Sequence, residues 1–164
     1  MTQEPSTTPG GKARENLLNI LNHALEEEIV LSSRMRGFLG RVTGPNFHSL
    51  YRLFGDQCRQ IDRWLGEITA RTRAIGTVAR IGAGEVVDSA RAAIKPRGPV
   101  PARNMVGELL ALHEGIAARL REDLVACRAD SATADFLTRL AEFHETAAWM
   151  LRTVVGRDVP DRDH

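Results

Sequence analysis

Apolar residues recur every three or four positions along most of this chain, the spacing that lines one face of an α-helix. From Glu15 onward, Leu17, Leu18, Leu21, Leu25, Ile29 and Leu31 predict a first helix to about Phe38. Gly37, Gly40, Gly44 and Pro45 break it, and Pro45 suits the first turn of a second helix with Thr43 or Gly44 near its cap. Leu50, Leu53, Phe54, Ile61, Leu65 and Ile68 carry that helix to about Ile75. A helix of roughly 30 residues is about 45 Å long, the length of a bundle helix. A third helix, about Ala102 to Arg128, follows Met105, Leu109, Leu112, Ile116, Leu120 and Leu124. The fourth, about Ser131 to Val155, follows Phe136, Leu137, Leu140, Phe143, Ala147, Met150, Leu151 and Val154.

Between the second and third helices, Gly76 to Pro101 is punctuated by glycine and proline, with a short helix expected at Glu85 to Ala93. A connection of this length joins parallel neighbours in a bundle. No alternating strand pattern competes, so the expected class is all-α: a four-helix bundle whose long crossover carries a short extra helix. The domain occupies residues 15–155, between flexible tails at 1–14 and 156–164 that have little to bury.

Composition narrows the function classes. A chain of 164 residues, 43% of them apolar, can bury a core without disulfide or metal staples. Cys58 and Cys127 are too few and too far apart for a zinc motif, and reduced thiols in a cytoplasmic protein are expected. The opening residues lack the apolar stretch of a signal peptide, and no apolar run is long enough for a membrane span. With 22 basic and 21 acidic residues the net charge is +1, so no overall field draws nucleic acid.

Two segments are more specific. Val42-Thr43-Gly44-Pro45-Asn46-Phe47-His48-Ser49-Leu50-Tyr51 resembles the junction of the first two long helices in Dps proteins, the dodecameric mini-ferritins of bacteria. His144-Glu145-Thr146-Ala147-Ala148-Trp149-Met150-Leu151-Arg152 resembles part of that family's last helix. Ile61 to Trp64, Arg73 to Thr77 and Thr133 to Leu137 extend the likeness over roughly residues 15–155. The resemblance implies a ferritin-like fold, a homo-oligomer of about twelve subunits, and iron as the metal handled.

It also implies where a ferroxidase centre would lie, at a two-fold interface between subunits. The family supplies one histidine from the end of the first helix, and from the second a histidine, an acid four residues on, and a later carboxylate pair. Iron oxidation needs such oxygen and imidazole ligands with open positions for the oxidant, and i, i+4 spacing places two carboxylates on one helical face. Aligned on Val42 to Leu50, those five positions are Leu39, Tyr51, Gly55, Gly66 and Ala70. Only Tyr51 could offer an oxygen. Shifting the second helix by one residue brings in Glu67 but pairs it with Arg71, and shifting by four brings in Asp62 opposite Gly66. The centre therefore reads as degenerate, with no catalytic residue to name.

Other residues remain candidates. His48, Tyr51 and Asp62, with Cys58 on the same side of the helix, could form a weak alternative metal site; the alternative is that Cys58 packs, His48 caps the turn and Asp62 pairs with Arg59 or Arg63. Glu26, Glu27 and Glu28 read as surface or interface carboxylates, since consecutive helical residues point about 100° apart. His113 and His144 read as buried, hydrogen-bonded histidines. In the family, acids near the Thr133-Ala134-Asp135 segment line three-fold pores, which makes Asp130 and Asp135 pore candidates; charge complementarity at a helix N-terminus is the alternative.

DNA binding in the family usually uses a Lys-rich tail. Here the first tail offers only Lys12 and Arg14, and the last sets Arg157 and Arg162 against Asp158, Asp161 and Asp163. Strong tail-mediated binding is not expected, although 20 arginines leave contacts on the shell surface open. Three readings follow. The favoured one is a Dps-like shell with a degenerate ferroxidase centre, serving stress protection or iron handling as a structural subunit or one co-assembled with an active paralogue. The second is an iron-oxidising mini-ferritin with a relocated site, and the third an unrelated helical binding module.

Overall fold

The computed structural model describes residues 10–76 and 100–157. Four helices account for nearly all of them: α1 (Gly11–Leu39), α2 (Phe47–Ala74), α3 (Ala102–Ala126) and α4 (Ser131–Arg157). The short helix expected at Glu85 to Ala93 and most of both expected tails lie outside the described residues. Two ends differ from the sequence reading. Gly11 to Arg14 are already helical, and α4 continues through Arg157. Arg14 is anchored rather than loose, because its guanidinium donates to the Gly76 carbonyl at 2.6 Å.

Local chemistry sets the helix ends. After α1, Gly44 takes φ 95°, a left-handed conformation that side chains rarely adopt, and the chain reverses there. α2 starts at Phe47, with Pro45 in the turn before it rather than in the helix. Gly76 repeats the device after α2, with φ 101°. An added Cβ there would also lie 2.7 Å from the Arg14 guanidinium. At the start of α4, the Asp130 carboxylate accepts the Thr133 backbone N–H at 2.9 Å, satisfying one of the free donors of the first turn.

Side-chain pairs fix the topology. Arg14 with Gly76 and Arg36 with Asp62 make α1 and α2 antiparallel. Arg121 with Glu145 and Arg152 with Glu114 do the same for α3 and α4. Gln57 with Ala147 and Arg71 with Thr133 set α2 antiparallel to α4. Consequently α2 and α3 run parallel. α1 packs closely on α2 and α3 on α4, whereas α2 and α4 touch only sparsely.

The core lies where the four apolar stripes meet. Leu21, Leu31, Met35 and Phe38 from α1 meet Leu50, Phe54, Ile61 and Ile68 from α2, and Met105, Leu109, Leu120 and Leu137 close the other side. All are essentially inaccessible to water, so burial of these stripes supplies the main favourable free energy of folding. No helix among the described residues is long and apolar enough to cross a membrane.

Candidate functional site

Leu39, at the end of α1, is half-buried and packs against the core. Tyr51 is 49% exposed on the first turns of α2, tilted against Phe47 with ring centroids 5.3 Å apart. Gly66 and Ala70 are exposed further along α2, and Gly55 is partly exposed. A Cβ on Gly66 would meet no atom within 4 Å, and one on Gly55 would meet only the Arg59 guanidinium, at 3.7 Å. Within the protomer, Gly66→Ala is therefore expected to stabilise α2 by about 1 kcal/mol through helix propensity alone. Urea unfolding at a subunit concentration low enough to dissociate any assembly measures it.

The remaining acids beside these positions are held by arginines. Arg36 donates to both oxygens of Asp62 at 2.5 Å, and Arg59 pairs with Asp56. The Asp62 hydrogen bond and charge raise the Arg36 pKa above its ordinary value. The partner of Asp62 thus comes from α1, not from its neighbours Arg59 and Arg63 on α2. Burial pushes the Cys58 thiol up, which favours the protonated, poorly ligating form. His48 packs edge-on against Phe47 at 5.3 Å. Tyr51 and Asp62 stand eleven residues apart on one helix, about 16 Å along its axis. The structure therefore does not bring His48, Tyr51 and Asp62 together. Among the described residues no three His, Cys, Asp or Glu side chains converge as an ion would require.

The two pore candidates have different surroundings. Asp130 caps α4 and also takes the Arg71 guanidinium at 3.1 Å, while Arg71 reaches Thr133 at 2.9 and 3.0 Å. Asp135 is exposed on the first turns of α4.

The acidic run of α1 divides three ways. Glu26 is exposed, Glu27 binds Arg119, and Glu28 is 0% exposed. The expectation that all three serve at the surface or at an interface fails at Glu28, which is buried against His144 of its own chain. Its position shows why: it lies seven residues after Leu21, three after Leu25 and three before Leu31, within the apolar stripe. His113 holds the same place among Leu109, Ile116 and Leu120, and His144 among Leu140, Ala141, Ala147 and Leu151. A polar residue interrupting an apolar stripe was the sequence signal for this cluster. Both histidines are buried and hydrogen-bonded, as their sequence reading expects.

The three side chains form a linear chain through the bundle centre. His144 donates from Nε2 to Glu28 Oε1 at 2.5 Å, and its Nδ1 faces His113 Nδ1 at 2.9 Å. All three residues are 0% exposed. Phe143 packs edge-on against both rings, with centroids 6.0 Å from His113 and 4.9 Å from His144. Burial first, then the neighbouring His144, lowers the His113 pKa to about 3. Glu28 Oε2 and His113 Nε2 have no hydrogen-bond partner among the described residues. Because Glu28 and His113 occupy opposite nitrogens of His144, the three donors point along a line and not at a common point.

A ferritin-like domain family model matches residues 18–158. The chain belongs to the ferritin-like domain family. Low temperature-induced proteins of Nostoc sp. strain PCC 7120 and of Anabaena variabilis are each 32% identical to this ferritin-like chain over 146 residues, covering 87% of it and 81% of theirs. Among solved structures, DpsC from Streptomyces coelicolor superposes with a TM-score of 0.80 at 20% identity, covering 94% of this chain and 91% of its own. Dps from Thermosynechococcus elongatus gives 0.75 at 22% identity, with 92% and 94% covered. The four-helix fold is thus that of the Dps proteins, as the helix pattern and junction motif imply.

Proposed function

We propose that this ferritin-like protein is a divergent Dps-type shell subunit in stress protection or iron handling, with its inter-subunit ferroxidase centre dismantled. The observation that carries the reading is the set Leu39, Tyr51, Gly55, Gly66 and Ala70, which holds one side-chain oxygen where five ligands are needed. The neighbouring carboxylates do not substitute, since Asp56 and Asp62 are bound by Arg59 and Arg36. Cold induction of the two relatives fits a stress role. The subunit acts structurally in an assembly of about twelve copies, alone or with an active paralogue. Small side chains on α2 let a partner helix approach closely, while unpaired carboxylates buried there without metal would be costly. Iron can still be cargo, nucleating on carboxylates without a catalytic site. Asp135 remains the better candidate for a cation path, because Asp130 is committed to a cap and to Arg71.

The test is ferrous oxidation by the purified assembly, with oxygen or peroxide, against a protein-free blank. The expected rate equals the blank, and native mass spectrometry of the same sample gives about twelve subunits. Rapid oxidation saturating at a fixed number of ions per subunit would refute the dismantled centre. A dimeric mass would refute the shell.

A further inference from the structure

We propose that the Glu28–His144–His113 chain is an acid-sensitive latch that closes the α3–α4 hairpin onto α1 and opens the bundle centre when it takes up one more proton. The geometry carries the argument. Two imidazole nitrogens that face each other at 2.9 Å share a single proton, because a second N–H at that contact would point hydrogen at hydrogen. With Nε2 of His144 donating to Glu28, its Nδ1 accepts the His113 Nδ1–H, so a further proton on His113 must sit on Nε2. That Nε2 is buried without a partner among the described residues, so the added N–H meets no acceptor there.

The described residues around the cluster offer no compensation. From α1 the cluster meets Glu28, already engaged, and from α4 it meets His144. Cys58 on α2 faces Arg36, Asp62 and Arg59 instead. The flanking α3 and α4 charges are paired outward, Glu114 with Arg152 and Arg121 with Glu145. Among the described residues the one titratable group acting on His113 is His144, which disfavours the added proton.

The direction follows from linkage. An opened or unfolded His113 binds a proton near its ordinary value of 6.5, whereas the closed state resists it down to about 3. The latch is therefore fully closed above 6.5 and loses hold as pH falls below that value. For one proton, the open population rises about thirtyfold between pH 7.5 and 5.0.

Amide hydrogen exchange of the full-length assembly, corrected for intrinsic rates, reads this directly at the centres of α3 and α4. Protection there should fall about thirtyfold over that interval. In His113→Gln, whose carboxamide can still pair with His144 but does not titrate, protection should be flat with pH. Wild-type protection that is flat, or an equal fall in the variant, would overturn the proposal. Should the variant fail to fold, ring NMR of wild-type His113 decides: titration in step with the loss of protection supports the latch. A ring that titrates near 6.5 with protection intact rules it out.

Discussion

Replacing Glu28 with alanine is expected to destabilise the protein by about 3–5 kcal/mol, a large share of the 5–15 kcal/mol typical of a domain. Two losses add. The His144 N–H, buried at 0% exposure, is left without an acceptor, and the removed side chain leaves a void in the core. Glu28→Gln should be milder. The amide oxygen can still accept from His144, so the loss reduces to the difference between a charged and a neutral hydrogen bond, about 1 kcal/mol. Replacing Glu28, His113 and His144 together with apolar residues of similar volume should be near neutral or stabilising, because it removes the desolvation cost along with the interaction. Urea unfolding of all variants at one subunit concentration ranks them. A triple variant less stable than Glu28→Ala would show that the chain is a net contributor to stability.

Phe54→Ala is expected to cost a similar amount, about 3–5 kcal/mol, for a different reason. Phe54 is 0% exposed and is the largest buried side chain of α2, a helix that touches α4 only sparsely. Arg36–Asp62 ties α2 to α1, and Arg71–Asp130 ties it to the start of α4. With both sides tethered, the helices cannot move together to fill the space, which puts the expected loss at the upper part of that range. Tyr51→Ala, one turn earlier and half exposed, should change protomer stability by no more than about 0.5 kcal/mol. The pair of urea midpoints tests the assignment of the core. Equal effects would mean that α2 is rotated from the position described.

Much of this architecture is legible in the chain. The apolar spacing predicts all four helices because a 3.6-residue period is a local property, set by which side chains share a face. Gly44 and Gly76 announce the ends of α1 and α2, since a left-handed turn excludes most other residues. The ends themselves are less legible: α1 reaches back to Gly11 because Arg14 finds the Gly76 carbonyl, 62 residues away. That partner belongs to the tertiary fold.

The candidate sites divide in the same way. The residue types at Leu39, Tyr51, Gly55, Gly66 and Ala70, the positions that the resemblance aligns with the family's ligands, are read from the sequence alone. Which charges are spoken for is not. Asp62 has arginines three residues before it and one after it, yet it binds Arg36 on another helix. Asp130 has the composition of a pore acid and the hydrogen bonds of a helix cap. Glu26, Glu27 and Glu28 share charge and propensity, and only packing separates a solvated acid, an arginine partner and a buried hydrogen-bond acceptor.

The sequence by itself determined that this chain forms an all-α bundle with Dps-like junctions. Those properties follow from periodicity, backbone permissiveness and side-chain chemistry, which are readable one segment at a time. The tertiary structure alone decided that Glu28, His144 and His113, drawn from three helices, meet at the centre. Their energies depend on burial and on the atom opposite, and both exist only once the helices have packed.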